Sequence, residues 1–357
     1  MAVSDRVKGV AMLALLLGLP GCRSRDDQPA ARGATAASAS GDSSVHEAAG
    51  ADSAAHADAA GPVHVVMRNV FFHLPHDIEL RIRSAVGTVR AASESQMILF
   101  DDPSSFVVRI DTGEVALSME ALGRLMNDWV FAYDGAPLRE LRFEARGEGL
   151  RLRGKLDAFI DVSFEIDATP AMTPEGEIRM HPDRIRTGGA IGSAIRSLLG
   201  LDLDEVVDLE GARGIRAEGN DLFLDPGELL PPPRIEGHIV EIAVEDDVLV
   251  QRFETPSSRA GQADNGELSS NDAGRGPPAP DAATDGNYMH FTGGTLGFGK
   301  LRMVDADLRV IDMDADDPFD FSIEHYQEQL IAGLSRTTPR LGLDVWMPDL
   351  DDLRRPQ

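Results

Sequence analysis

Between residues 62 and 254 apolar and charged side chains alternate with a period of two, and this pattern constrains the fold more than any other feature of the chain. The most regular run sets Ile160, Val162, Phe164 and Ile166 against Asp161, Ser163, Glu165 and Asp167. Ile78, Leu80 and Ile82 alternate with Glu79, Arg81 and Arg83, and Leu141, Phe143 and Ala145 with Arg142, Glu144 and Arg146. Successive side chains of a strand point to opposite faces, so these runs imply antiparallel strands with one dry face and one wet face. Turn signals at Gly147-Glu148-Gly149, Pro174-Glu175-Gly176 and Gly219-Asn220-Asp221 separate them.

Two segments in this body change to helical spacing. Leu122, Leu125, Met126, Trp129 and Val130 follow Ser118, an N-cap residue with Glu120 in the first turn. Ile191, Ala194, Ile195, Leu198 and Leu199 form a second stripe that stops near Gly200, and residues 201–209 continue as an acidic amphipathic stretch. After residue 286 strand patterns return around Phe291 and over 301–312, followed by a helix expected over 322–334. These signals predict an α+β fold, a long meandering sheet of mostly antiparallel strands with few helices. The stretch 286–357 is expected to complete or cap that sheet, being marginal as a separate module.

The one cysteine, Cys22, closes Leu19-Pro20-Gly21-Cys22 after an apolar run that begins near Val10 and is preceded by Arg6 and Lys8. That is the layout of a bacterial lipoprotein signal, with residues 1–21 removed and Cys22 acylated, although Pro20 departs from the usual small residue. Residues 22–61 are rich in Ala, Ser, Gly and Asp and read as a tether of roughly 35 Å root-mean-square reach. Residues 255–285 have the same character and read as a linker or loop. The net charge of −26 argues against nucleic acid as a partner and against electrostatic adhesion to anionic lipid, leaving the acyl anchor to supply membrane attachment. The expected location is the cell envelope, on the periplasmic face of the outer membrane.

Candidate chemistry is sparse. Asp312, Asp314 and Asp316 alternate as calcium ligands do, but Asp317 stands where an EF-hand needs glycine and Ile323 where it needs a bidentate Glu. The bland alternative is a solvated acidic turn. Residues 294–300 follow a phosphate-loop spacing up to Lys300, then carry Leu301 instead of a hydroxyl, so glycines in a turn explain them as well. His73 and His76 flank Pro75 without a carboxylate or cysteine at ligand spacing. With no nucleophile elbow and no zinc-protease helix, the sequence points to no enzyme, no cofactor and no catalytic residue.

From residue 115 to 253 the order of features resembles the LmeA-like phospholipid-binding family and, more distantly, the tubular lipid-binding superfamily. The resemblance rests on a helix over 119–131, charge-alternating strands over 138–168 and Thr173-Pro174-Glu175-Gly176-Glu177-Ile178-Arg179-Met180. It continues with an apolar helix over 190–199 and Pro231-Pro232-Pro233-Arg234-Ile235-Glu236-Gly237 ahead of a hairpin at 239–250. It implies a long, curved, mostly antiparallel sheet wrapped around one or two amphipathic helices, with an apolar groove for acyl chains and no catalytic residues. Leu122, Leu125, Trp129, Val162, Phe164 and Ile166 are then the candidate groove lining. The expected function is a lipid-anchored protein that binds or shuttles a phospholipid. The alternative is a structural envelope lipoprotein with a filled core that meets a protein partner.

Overall fold

The computed structural model describes residues 61–93, 96–158, 160–187, 207–255, 286–339 and 342–354. The chain opens with β1 (Val63–Leu74) and β2 (Ile78–Ala91), which pair antiparallel around a turn at Pro75–Asp77. Along β1 the buried side chains run Val63, Val65, Met67, then Val70, Phe72, Leu74. The alternation slips by one residue at Asn69, whose φ of 51° lies in the left-handed region that Asn tolerates better than most residues. The Asn69 amide donates to Asn287 Oδ1 at 2.7 Å, which holds the slip in place. The partner strand slips opposite it, with Ile78, Leu80 and Ile82 inward, then Ala85 and Val89. Both strands thus keep one dry face.

β3 (Ile98–Leu99) and β4 (Phe106–Ser118) follow, then α1 (Met119–Arg124), whose Ser118 hydroxyl caps the Ala121 N–H at 3.1 Å. The helical path continues as a π-type turn over Leu125–Val130. The chain then builds a separate sheet from β5 (Leu138–Arg146), β6 (Gly149–Ala158), β7 (Ile160–Met172), β8 (Ile178–Thr187), β9 (Ile215–Glu218) and β10 (Asp221–Leu224). Its strand order is β5-β6-β7-β8-β10-β9. On its wet face Arg151 grips Asp167 with two bonds of 2.6 and 3.0 Å, and Arg153 and Arg186 both reach Glu165.

Beyond this excursion the chain returns to the first sheet. The returning strands are β11 (Arg234–Gly237), β12 (Ile239–Glu245), β13 (Val248–Phe253), β14 (Tyr288–Phe298), β15 (Leu301–Asp312), β16 (Phe319–Ser322), β17 (Leu334–Thr337) and β18 (Leu343–Met347). The large sheet has 12 strands, ordered β12-β13-β4-β2-β1-β14-β15-β18-β17, with β11 on β4, β16 on β1 and β3 on β14. β14 pairs antiparallel with β1 through Val65 and Phe291, so the C-terminal strands belong to this sheet. One end of its dry face is filled by Phe100, Phe298, Phe319, Phe321 and Tyr326, all buried. Gln329, fully buried in the helix Tyr326–Ala332, ties that end together by accepting from Ser322 N and donating to the carbonyls of Asp320 and Pro348.

The α+β expectation is overturned. Strands take 59% of the described residues and helical turns 14%, so the fold is β-dominated, with two sheets and a few short helices in place of one sheet wrapped around amphipathic helices. Two causes can be named. The pattern read as a helix over 322–334 yields only Tyr326–Ala332, because Phe319–Ser322 pairs with β1 and Leu334–Thr337 pairs with β18. The 119–131 segment does turn helically, but it packs on the start of the second sheet and on β2, and the large sheet's edge strand β12 meets β5, β6 and β7 as well. The apolar stripe at 190–199 lies outside the described residues.

Candidate functional site: an apolar cavity on the large sheet

A cavity of about 190 Å³ lies against the dry face of β1, β2 and β4, beneath the segment that connects β10 to β11. Its walls are mainly aliphatic: Val65, Leu80, Ile82, Val108, Ile110 and Ile235 from the large sheet, and Leu230 and Pro233 from the segment above. The space arises from a local fault in the sheet. The β2–β4 register shifts between Ile82 and Ser84 and again between Val86 and Gly87. Between and beside these shifts stand Ala85 and Gly87, which carry almost no side chain. A Cβ on Gly87 would fall inside van der Waals contact of the Arg109 carbonyl oxygen, so the close approach of the two strands requires glycine there. Across the cavity Gly237 gives the Phe253 ring the same close approach.

The border is polar and keeps contact with solvent. It contains Asp225, whose carboxylate caps Gly227 N at 2.8 Å, and Glu236, held by the Arg90 guanidinium at 3.0 and 3.1 Å. Gln251 and the backbone around Arg109 complete it. An apolar chamber with a few polar groups at its edge is the usual form of a small-molecule site. Its chemistry is burial of hydrocarbon: no nucleophile stands beside a base there.

The residues singled out from sequence lie elsewhere. Leu122 and Leu125 are buried in the main core, and Trp129, Phe164 and Ile166 pack against it half-buried; Val162 is buried on β7. None of them borders the cavity. Trp129 carries the Arg213 guanidinium 4.0 Å above its ring and the His76 imidazole at 5.6 Å. Its Nε1, like the Tyr133 hydroxyl, is buried with no hydrogen-bond partner. Cys22 lies outside the described residues. The cavity residues Ala85, Gly87 and Gly237 were missed, yet a signal for the first two existed: they interrupt a run of strand formers within 78–91.

The acidic run is split by the fold. The exposed Asp314 and Asp316 spend their backbone N–H groups on turns, Asp314 N to Asp312 Oδ1 at 2.9 Å and Asp316 N to Asp314 Oδ1 at 3.0 Å. Buried Asp312 instead meets Asp317 and Asp349, with carboxylate oxygens of all three within 4.8 Å of one another. Burial pushes the Asp312 carboxyl above its usual range, and burial together with the neighbouring Asp312, Asp317 and Asp320 charges pushes Asp349 up to about 7. These three carboxylates would supply three of the roughly six to eight oxygens that calcium takes, and Asp314 and Asp316 are not among them. The two histidines diverge. His73 Nε2 pairs with Asp320 and its Nδ1 lies 3.3 Å from Asp77, while His76 faces Trp129.

No family model matches the chain, and comparisons with curated proteins and with solved structures give no match either.

Proposed function

We propose that this chain is an exported, lipid-anchored envelope protein that takes an apolar ligand, the acyl chain of a lipid, into the cavity on the dry face of its large sheet. The observation that carries the reading is the 190 Å³ space walled by Val65, Leu80, Ile82, Val108 and Ile110. A chain moving from water into such walls gains about 0.8 kcal/mol per buried methylene. The Leu19–Cys22 motif supports acylation at Cys22, and the resemblance of residues 115–253 to a phospholipid-binding family supports the same ligand chemistry. Among the described residues no helix is long and apolar enough to cross a membrane, which fits an acyl anchor. Native mass spectrometry of the full chain extracted from membranes tests the ligand reading. A bound lipid or fatty acid in stoichiometric amount is expected; a chain that emerges without one and takes none from mixed micelles excludes it.

A second reading, a structural lipoprotein that meets a protein partner, draws support from one observation. All six residues chosen as groove lining are core or core-flanking side chains, so most of the inward surface is already filled. Cross-linking in the envelope that recovers one stoichiometric partner, from a chain that carries no lipid, would favour it.

A further inference from the structure

We propose, building on the apolar-ligand reading, that the cavity admits the end of a single alkyl chain, about eight carbons deep, so that the ligand is a one-chain amphiphile and a two-chain phospholipid is not engulfed. The first argument is volume. A dry cavity of about 150 Å³ is filled by the six carbons of benzene, and the same filling of this 190 Å³ space gives about eight carbons. Sites that enclose whole drug-sized molecules start near 300 Å³. Two acyl chains of ordinary length exceed this space several times over.

The second argument is that the walls have nowhere to go. Phe72 borders the cavity on one side, and its ring lies 5.4 Å from that of Phe321, which in turn packs on Phe319 and Tyr326. All three of those rings are buried. Phe253 borders the other side, pressed against Gly237 with no room for even a Cβ between them. Close-packed interiors resist expansion, so a longer chain has to leave through the polar border at Asp225, Glu236 and Gln251 rather than enlarge the chamber. That border places the headgroup and the remaining methylenes in solvent or in the bilayer. The mode of action is then capture of a chain end, not enclosure of a whole lipid.

Two homologous series test this on the full chain: straight-chain fatty acids and monoacyl phosphocholines of increasing length, titrated calorimetrically below their micelle concentrations. Affinity should rise about fourfold per added methylene and level off near eight carbons. A plateau at that length in either series supports the proposal, and the tighter series identifies the headgroup source. Filling the chamber with Ala85→Leu should move the plateau to shorter chains and weaken octanoyl binding at least tenfold. If Ala85→Leu does not fold, the wild-type series alone decides the matter. Affinity that keeps climbing past twelve carbons, or stoichiometric uptake of dioleoylphosphatidylcholine from vesicles, overturns the one-chain limit while leaving apolar binding intact. Failure of every length to bind removes the underlying reading instead.

Discussion

Asp349 shows how neighbours reset the meaning of one side chain. Its carboxylate accepts from Asp320 N at 2.8 Å, which favours the charged form, yet burial and the acids Asp312, Asp317 and Asp320 outweigh that bond and raise its pKa to about 7. An acid whose folded pKa exceeds its unfolded value of 3.8 binds more protons when folded. Its contribution to stability is therefore complete below the unfolded value and is lost as pH rises through about 7. Asp312 acts with the same sign. So does His73: burial lowers its pKa, but the bond and charge of Asp320, with Glu79 and Asp77, more than offset this and leave it raised above 6.5. Urea unfolding of the wild type and of Asp349→Asn should accordingly diverge between about pH 4 and pH 8, the wild type losing stability relative to the variant as pH rises. Parallel curves would mean that Asp349 titrates as an ordinary surface carboxylate.

Between elements, the join of α1 to the second sheet depends on Asn127. Its amide donates to the carbonyls of Gly123 at 2.7 Å and Leu141 at 2.8 Å, while its Oδ1 accepts from Leu141 N at 2.8 Å. The side chain thus pairs with β5 as a neighbouring strand residue would. Leu141 is buried, so Asn127→Ala leaves its N–H and C=O without partners and should cost about 2 to 4 kcal/mol in chemical unfolding. A loss under about 0.5 kcal/mol would show that water replaces the amide. This element was half legible. The Ser118 cap and the spacing of Leu122, Leu125 and Val130 are local signals that predict where the helix begins. The π-type turn and the grip of Asn127 on a strand are set by what the helix packs against, which no local pattern carries. The same limit applies to the groove candidates. Period-two spacing identified Val162, Phe164 and Ile166 as inward, but an inward side chain lines a cavity only where the opposite surface fails to reach it.

At the scale of the molecule, attachment and binding separate. The net charge of −26 disfavours adhesion to an anionic bilayer, and the function proposed above gives membrane attachment to Cys22 and ligand binding to the cavity. Cys22→Ser should move the protein from the salt-washed membrane fraction to the soluble fraction without altering alkyl-chain affinity. A variant that stays membrane-bound after the wash would remove the anchor from the account. The strand runs around 78–82, 141–146, 160–166 and 301–312, the turns at Gly147, Pro174 and Gly219 and the start of α1 were written in the sequence, because each follows from side chains a few residues apart. The tertiary structure alone decided that the strands divide into two sheets, that β1 takes both β14 and β16 as partners, and that Asp312 meets Asp317 and Asp349 in place of Asp314 and Asp316. It also decided that a space remains at Ala85 and Gly87. Those outcomes depend on which distant segments compete for the same edge or the same face, and alternation makes every dry face an equally good partner until the whole chain has packed.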